Sequence, residues 1–258
     1  MVETNNQKNT DYGKVSVIMP NFNGEKFLRE SIDSVLSQSY QNLELLFVDD
    51  CSTDGSLDAV KSFSDDRIRI FSTEVNGGAA KSRNLAIENA TGKWIAFLDS
   101  DDIWLSEKLE KQLSFMTEKG AGFSFTQYDV VDENGEKKAT FTPKAWEYSF
   151  DDILKHNYIG CLTAIYDAEK LGKVYMPENA EKREDVACWF NILKTGTNAY
   201  CLGEILAKYK LHANSVSANK FKMIKYQWRL YRKFLKFNPF KSLFYLIGWA
   251  VRGLRKYK

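Results

Sequence analysis

Short apolar runs alternate with helical patterns through the first half of the chain. Behind the first run, Leu28, Ile32 and Val35 recur at the spacing of a helix with one buried face. Strands are predicted for the apolar runs at 15–19, 43–48, 68–71 and 94–98. Strand and helix in turn, over about 100 residues, predict a mainly parallel sheet with helices on both faces.

The ends of the helices also have sequence signals. Asn23 precedes the first helix and Ser106 a later one, and both residue types favour the N-cap position. Gly120 is placed to end that later helix, because glycine readily adopts the left-handed conformation found after helices.

Beyond Gly120 the pattern becomes mixed. Strands are predicted at 123–128, 162–166 and 206–211, and a helix at 187–193. The predicted fold class is therefore α/β: one domain over residues 1–218, with a parallel half and a mixed half, and a basic helical tail over 219–258.

The composition is ordinary for a soluble protein, but the charge is unevenly distributed. Hydrophobic residues make up 44% of the chain and charged residues 27%. The formal net charge is +2, yet residues 205–258 hold 14 Lys or Arg and no Asp or Glu, which leaves the preceding part at −12. An acidic body with a basic tail indicates two different tasks on one chain.

A cytoplasmic protein is expected from the termini and the cysteines. Residues 1–10 are polar, and the longest apolar stretch, 243–251, is too short to cross a bilayer as a helix. The four cysteines form no C-x-x-C pair, so reduced thiols are expected rather than disulfides or a zinc site.

The tail interleaves its cations with aromatic residues, and Pro239 predicts a break between two helices. The first helix has an apolar face at Ile224, Trp228, Tyr231 and Leu235. Such a helix can lie on an anionic membrane surface, here the inner face of the plasma membrane. Packing on the acidic body and binding to nucleic acid are the alternatives, and nothing else in the chain indicates nucleic acid.

Polar and acidic residues follow three of the predicted strands: Pro20-Asn21-Phe22, Asp49-Asp50 and Asp99-Ser100-Asp101-Asp102. In open α/β sheets, ligands bind at the carboxyl ends of the strands. Carboxylates that share this rim repel each other unless a cation compensates, and their oxygens suit Mg²⁺ or Mn²⁺. A divalent metal site at Asp99-Ser100-Asp101 is therefore predicted, with a solvated acidic turn as the alternative.

Two further features suit a nucleotide. Asp50 can accept a hydrogen bond from a nucleobase N–H, although Asp49 or Asp50 can equally cap the next helix. Gly77-Gly78, followed by Lys81 and Arg83, can hold a pyrophosphate at a helix start, although most such turns are only turns.

Four segments together resemble the family 2 glycosyltransferases with the GT-A fold. They are 17–23, 48–56, 78–84 and 97–102, in the family's order and spacing, and Glu184-Asp185 and 211–217 extend the match. The resemblance implies a metal-dependent enzyme that moves a hexose from a UDP-sugar to an acceptor hydroxyl with inversion. It also implies that the acceptor is a lipid-linked sugar in surface-polysaccharide biosynthesis.

The resemblance implies site residues as well. Those expected to bind the donor nucleotide are Pro20, Phe22, Asp50, Arg83 and Asp99. Pro20 departs from some members, which carry there a hydroxyl that contacts the base. Asp101 would hold Mn²⁺ or Mg²⁺, and His212 would complete the metal site, contact a phosphate, or be a plain surface histidine.

Asp185 is implied as the general base. It falls at a predicted helix start, where the helix dipole favours an ionised carboxylate that can take the proton of an acceptor hydroxyl. The alternative is that Glu184 and Asp185 only form an acidic first turn.

Other function classes fit the sequence less well. A nucleotidyltransferase would normally carry a Gly-rich loop with a basic residue after the first strand, which residues 20–24 lack. A glycoside hydrolase would leave the nucleotide-type segments unexplained. A non-catalytic nucleotide-sugar-binding module would have no use for a base.

Overall fold

The computed structural model describes residues 10–212 and 220–253. Its strands are β1 (Val15–Asn21), β2 (Leu43–Asp49), β3 (Ile68–Ser72), β4 (Trp94–Phe97), β5 (Ile103–Trp104), β6 (Phe123–Val131), β7 (Lys137–Phe141), β8 (Glu147–Tyr148), β9 (Ile165–Asp167) and β10 (Ala199–Lys210). Its α-helices are α1 (Glu25–Leu36), α2 (Ser56–Lys61), α3 (Ala79–Asn89), α4 (Lys108–Lys119), α5 (Phe150–Lys155), α6 (Ala168–Leu171), α7 (Glu184–Leu193), α8 (Lys220–Arg229) and α9 (Pro239–Gly253). Short 3₁₀ turns lie at Cys161–Thr163 and Glu178–Ala180, and a π-helical turn at Leu230–Phe234 follows α8.

The strands form one sheet in the order β3-β2-β1-β4-β9-β6-β10-β5. β1 to β4 pair in parallel, β9 runs antiparallel to β4 and β6, and β10 is again parallel to β6. This arrangement confirms the prediction of a mainly parallel half joined to a mixed half.

Both faces of the sheet are covered, because successive strand side chains point to opposite sides. Val17 and Met19 of β1 pack in one cluster with Leu28 of α1 and Leu109 of α4. Ile18 belongs to the other cluster, together with apolar residues of α3 and α7. The two clusters hold β1, β2 and β4 rigidly in the centre, with their carboxyl ends at one rim.

The predicted N-caps are wrong, although the helices themselves form. α1 begins after Gly24 and α4 after Glu107, and neither has a side-chain cap. Asn23 instead accepts a hydrogen bond from the Thr53 amide at 2.7 Å, and Asp54 accepts from the first amide of α1 at 3.1 Å. The tertiary contact with the β2–α2 loop thus replaces the local cap. Gly120 ends α4 with φ 63°, as expected.

The described part of the tail packs on the body. Tyr231 is fully buried and donates its hydroxyl hydrogen to the Leu154 carbonyl at 2.5 Å, so this part of the predicted apolar face packs on the body, whereas Ile224 is 40% exposed. Pro239 does separate two helices, since α9 begins there. Among the residues that the structure describes, no helix combines the length and apolar composition needed to cross a bilayer. The division at residues 218 and 219 falls outside the described residues and stays a prediction.

Candidate active site

A cavity of about 640 Å³ opens where β1, β2 and β4 end. All the site residues expected from the sequence line it: Pro20, Phe22, Asp50, Arg83, Asp99, Asp101, Asp185 and His212. Pro20, Phe22, Asp50, Asp99 and Asp101 lie at or just after the ends of β1, β2 and β4, and Arg83 lies on α3. α7 and the end of β10 bring Asp185 and His212 to the same space. Their convergence is observed, whereas the role of each stays a prediction.

Asp50 is buried at the end of β2 and organises the neighbouring loop. Its carboxylate accepts hydrogen bonds from the Gly77 and Gly78 amides at 2.9 and 2.7 Å, and from the Thr73 hydroxyl at 2.9 Å. A carboxylate has about four acceptor positions, so one remains for a ligand N–H. The same bonds occupy both glycine amides, which removes them from the pyrophosphate site suggested by the sequence.

Asp49 does not cap α2, because that helix begins later, at Ser56. Its carboxylate accepts instead from the Ser52 amide at 3.0 Å and from the Asn21 side chain at 3.2 Å. Asp54 takes the place of the cap, accepting from the Ser56 amide at 3.0 Å. These bonds fix the loop behind Phe22, whose side chain is 53% exposed at the cavity and free to stack on a ligand ring.

Arg83 joins the two sides of the cavity. Its buried guanidinium donates to Asp99 at 2.5 Å and lies 4.0 Å from the Glu184 carboxylate at the start of α7. The next residue, Asn84, makes a second link: it donates to the Met176 carbonyl at 2.9 Å and accepts from the Met176 amide at 2.7 Å. α3 therefore holds the segment that leads into α7.

Asp101 and His212 form a close pair, with Oδ2 and Nε2 separated by 2.6 Å. Burial and the charge of Asp99 raise the pKa of Asp101, and His212 opposes this shift. Asp102 helps to position this pair. It is buried, and its carboxylate accepts a hydrogen bond from the Lys210 amide at 3.0 Å. Lys210 ends β10 two residues before His212, so its bond to Asp102 fixes where the chain carries the histidine.

The Asp101–His212 pair fits a divalent cation. Within 10–212 and 220–253, no group of three or more His, Cys, Asp or Glu side chains is arranged to hold a metal. Mg²⁺ and Mn²⁺, however, commonly take one or two protein ligands and complete their shell with water and substrate phosphates. Two converging donors beside an open cavity match that pattern.

Asp185 lies in the first turn of α7, which begins at Glu184 as predicted. Burial raises the pKa of Asp185 above its ordinary value, and the neighbouring Arg183 opposes this shift. Burial thus acts against the helix dipole considered from the sequence. A carboxylate with a raised pKa is a stronger base, and it stays ionised near neutral pH only if the shift is moderate.

Sequence reasoning missed Arg183, which occupies the N-cap position of α7 without making a side-chain cap bond. Its guanidinium is buried against the cavity and lies 5.2 Å from the ring of Trp249 of α9. The only available signal was its position next to Glu184-Asp185, because Trp249 is remote in sequence.

Comparison with known proteins decides the family. The model of "Glycosyl transferase family 2" matches residues 16–172, which is more than half of the chain. The chain belongs to glycosyltransferase family 2. The nucleotidyltransferase alternative is therefore set aside, and the GT-A architecture expected from the resemblance is confirmed.

Two relatives align with this family 2 glycosyltransferase over nearly its whole length. TuaG of Bacillus subtilis, strain 168, named for teichuronic acid biosynthesis, is 41% identical over 244 residues, which is 94% of this chain and 96% of TuaG. WfgD of Escherichia coli is 39% identical over 244 residues, 94% of each chain, and is named a UDP-Glc:alpha-D-GlcNAc-diphosphoundecaprenol beta-1,3-glucosyltransferase.

A solved structure shares the fold of the family 2 enzyme. Staphylococcus aureus TarS (residues 1–349), in complex with UDP-GlcNAc, superposes with a TM-score of 0.68 at 25% identity. The match covers 83% of this chain and 64% of the TarS chain, so the chain spans less than two thirds of that structure.

Proposed function

We propose that this glycosyltransferase moves a hexose from a UDP-sugar to a hydroxyl of a lipid-linked sugar, with inversion, in surface-polysaccharide biosynthesis. The observation that carries the proposal is the shared cavity, in which the Asp101–His212 pair and Asp185 face the same space. The names of WfgD and TuaG, and the UDP-GlcNAc complex of TarS, support a UDP-sugar and a surface polymer.

The donor nucleotide is proposed to lie across the ends of β1, β2 and β4. The exposed ring of Phe22, with Pro20 beside it, would cover the base, and the free acceptor position of Asp50 would take its N–H. Asp99 would accept from the ribose while Arg83 holds it in place. These contacts position the diphosphate toward Asp101.

Asp101 and His212 would hold the Mg²⁺ or Mn²⁺ ion. The ion, when bound, supplies charge neutralisation for the departing diphosphate. Asp102 keeps the two ligands together by anchoring Lys210, and Lys210 in turn pairs with Glu30 at 2.7 Å. Asp101 and His212 are now hydrogen-bonded to each other at 2.6 Å, so the two side chains would separate slightly to admit the ion between them.

Asp185 would accept the proton of the acceptor hydroxyl as that oxygen attacks the anomeric carbon. Burial raises the pKa of Asp185, so its ionised carboxylate is a better proton acceptor than that of an exposed aspartate. Attack by the acceptor oxygen directly on the anomeric carbon, as UDP leaves from the opposite face, would transfer the sugar in one displacement and invert its configuration.

Product stereochemistry tests the reaction. We expect purified protein with Mn²⁺ to consume a UDP-hexose in the presence of a lipid-linked acceptor and to give a β-linked product from an α-linked donor. Screening several UDP-hexoses identifies the donor, and NMR coupling constants of the product report the anomeric configuration. An α-linked product would rule out single displacement, and loss of UDP-sugar without transfer to any acceptor would indicate only hydrolysis.

The protein is further proposed to lie on the inner, anionic membrane surface through its tail. Most of the exposed apolar residues of the described tail lie on α9: Phe240, Leu243, Phe244, Ile247 and Val251. Lys155 and Arg252 flank a groove of about 260 Å³ beside them. Apolar residues ringed by cations suit an anionic bilayer, where each cation contributes about 1 kcal/mol.

Vesicle binding tests this surface. Replacing Phe244 and Ile247 by Asp should weaken co-sedimentation with phosphatidylglycerol vesicles at least about tenfold, because two apolar side chains leave the bilayer and two anions approach it. Val75→Asp is the matched control, since Val75 is 69% exposed and far from α9 in sequence. If the wild-type protein does not bind these vesicles at low salt, the membrane proposal is wrong and the tail has only a structural role.

A further inference from the structure

Arg183 precedes the proposed base by two residues and has no part in the reaction described above. Its side chain lines the cavity and is only 8% exposed. Its Nε and Nη2 atoms are buried and find no hydrogen-bond partner in the described part of the chain. A buried cation with unused donors is unfavourable, and an anionic ligand is the partner that would satisfy it.

The carboxylates of Asp185 and Glu184 lie close enough to act on the charge of Arg183, but neither accepts a hydrogen bond from its Nε or Nη2. Trp249 of α9 lies 5.2 Å from the guanidinium, and a ring face attracts a cation but leaves the in-plane N–H groups unpaired. Glu181, two residues earlier, is bound by Arg229 of α8 instead. Glu181 and Lys182 have positive φ values of 33° and 60°, a backbone shape that turns the chain sharply before Arg183.

The position of Arg183 assigns its ligand to the acceptor. The other buried guanidinium of the cavity, Arg83, is already paired with Asp99 at 2.5 Å on the donor side. Arg183 stands instead next to Asp185, the group proposed to receive the acceptor's proton. A guanidinium binds phosphate through parallel N–H bonds, which matches the two free donors of Arg183.

We propose that Arg183 binds a phosphate of the acceptor's diphosphate. This inference rests on the proposed function, because it takes the acceptor to be a sugar linked to a lipid through a diphosphate. It also gives α9 two tasks. The outer face of the helix would meet the membrane, while Trp249 on the inner face supports the residue that binds the lipid's diphosphate.

The test measures binding of farnesyl diphosphate to the full-length protein saturated with UDP and Mg²⁺, so that UDP fills the donor phosphate positions. We expect wild-type protein to bind it, and Arg183→Gln to bind about 10- to 100-fold more weakly, because a charged bidentate contact is lost. Arg183→Lys should fall between them, since it keeps the charge without the planar pair of donors. UDP affinity should be unchanged in both variants.

Arg229→Gln is the matched control. It removes a guanidinium that contacts the same loop through Glu181 but does not line the cavity, so farnesyl diphosphate should bind as in wild type. The proposal is overturned if wild type does not bind the probe, if both Gln variants weaken binding equally, or if Arg183→Gln and Arg183→Lys lower UDP affinity instead. Failure of wild-type sugar transfer would contradict the proposed function, and is measured separately.

Discussion

Asp185→Asn is expected to lower sugar transfer by about 10²–10⁴-fold, the usual contribution of a general base. The amide keeps the shape of the side chain at the start of α7 but cannot accept the acceptor's proton. Binding of the UDP-sugar should persist, because the residues proposed for it lie on β1, β2, α3 and the β4–β5 loop. Steady-state transfer rates, with UDP-sugar affinity measured separately, check both halves of this expectation.

Asp167→Asn provides the control for this variant. Asp167 is also an acid at a helix start, where it accepts from the Glu169 amide at 3.0 Å, but it does not line the cavity. We expect it to change stability and not the transfer rate. If Asp185→Asn retains activity within a few-fold of wild type, Asp185 is not the general base and only contributes to the acidic first turn of α7.

The pH dependence of transfer provides a second check on Asp185. Because burial raises the pKa of Asp185, the base is lost as pH falls through a value above about 3.9, the ordinary aspartate pKa. Transfer should therefore decline on the acid side at a higher pH than an exposed aspartate would give. The residual activity of Asp185→Asn should lack this decline.

Removal of the divalent ion is expected to lower the rate of transfer by at least about 10²-fold, because the charge on the leaving diphosphate is no longer stabilised. Mn²⁺ or Mg²⁺ should restore wild-type activity after chelation. Asp101→Ala should resist this rescue at ordinary metal concentrations, because it removes one of the two converging ligands. Activity measured against metal concentration, after chelation, gives the result directly.

Ser100→Ala is the matched control in the same loop. The main-chain carbonyl of Ser100, rather than its hydroxyl, accepts from Ser31 at 2.9 Å, so the loop contact survives the substitution. Rescue by Mn²⁺ should then resemble wild type. Full transfer by wild-type protein in excess chelator would refute the metal site.

The sequence was sufficient to predict β1 to β4 and the cavity for a simple physical reason. It did not predict β5, β7 or β8, and the strand predicted at 162–166 is a 3₁₀ turn at Cys161–Thr163 followed by the short β9. The runs that became β1, β2 and β4 are buried on both faces, so they are nearly continuous in apolar residues and easily recognised. Parallel strands place their carboxyl ends at one edge of the sheet. Asp50 and Asp99 each come directly after such a strand or within two residues of its end, so the rule predicts that both lie at the cavity. These predictions depend on local pattern and topology alone.

Contacts between remote segments were not predictable in this way. The bond between Asp102 and the Lys210 amide spans 108 residues, and no local pattern encodes it. The N-cap predicted at Asn23 was wrong for the same reason. The side chain of Asn23 accepts its hydrogen bond from the β2–α2 loop, which is remote in sequence, and not from α1. The apolar face predicted for the first tail helix was assigned to a membrane, because the same spacing results whether such a face meets lipid or, as at Tyr231 in the π-helical turn after α8, the protein core.

The paired hydrogen bonds between Asn84 and Met176 also bear on how related enzymes can diverge. They fix one end of the segment before α7, and the first turn of that helix fixes the other, next to Asp185. Under the proposed function, a change of sequence between these two anchors would reshape the acceptor side of the cavity and leave Asp185 and the residues that follow β1, β2 and β4 in place. A variant altered only there would be expected to change the recipient of the sugar and to keep the donor.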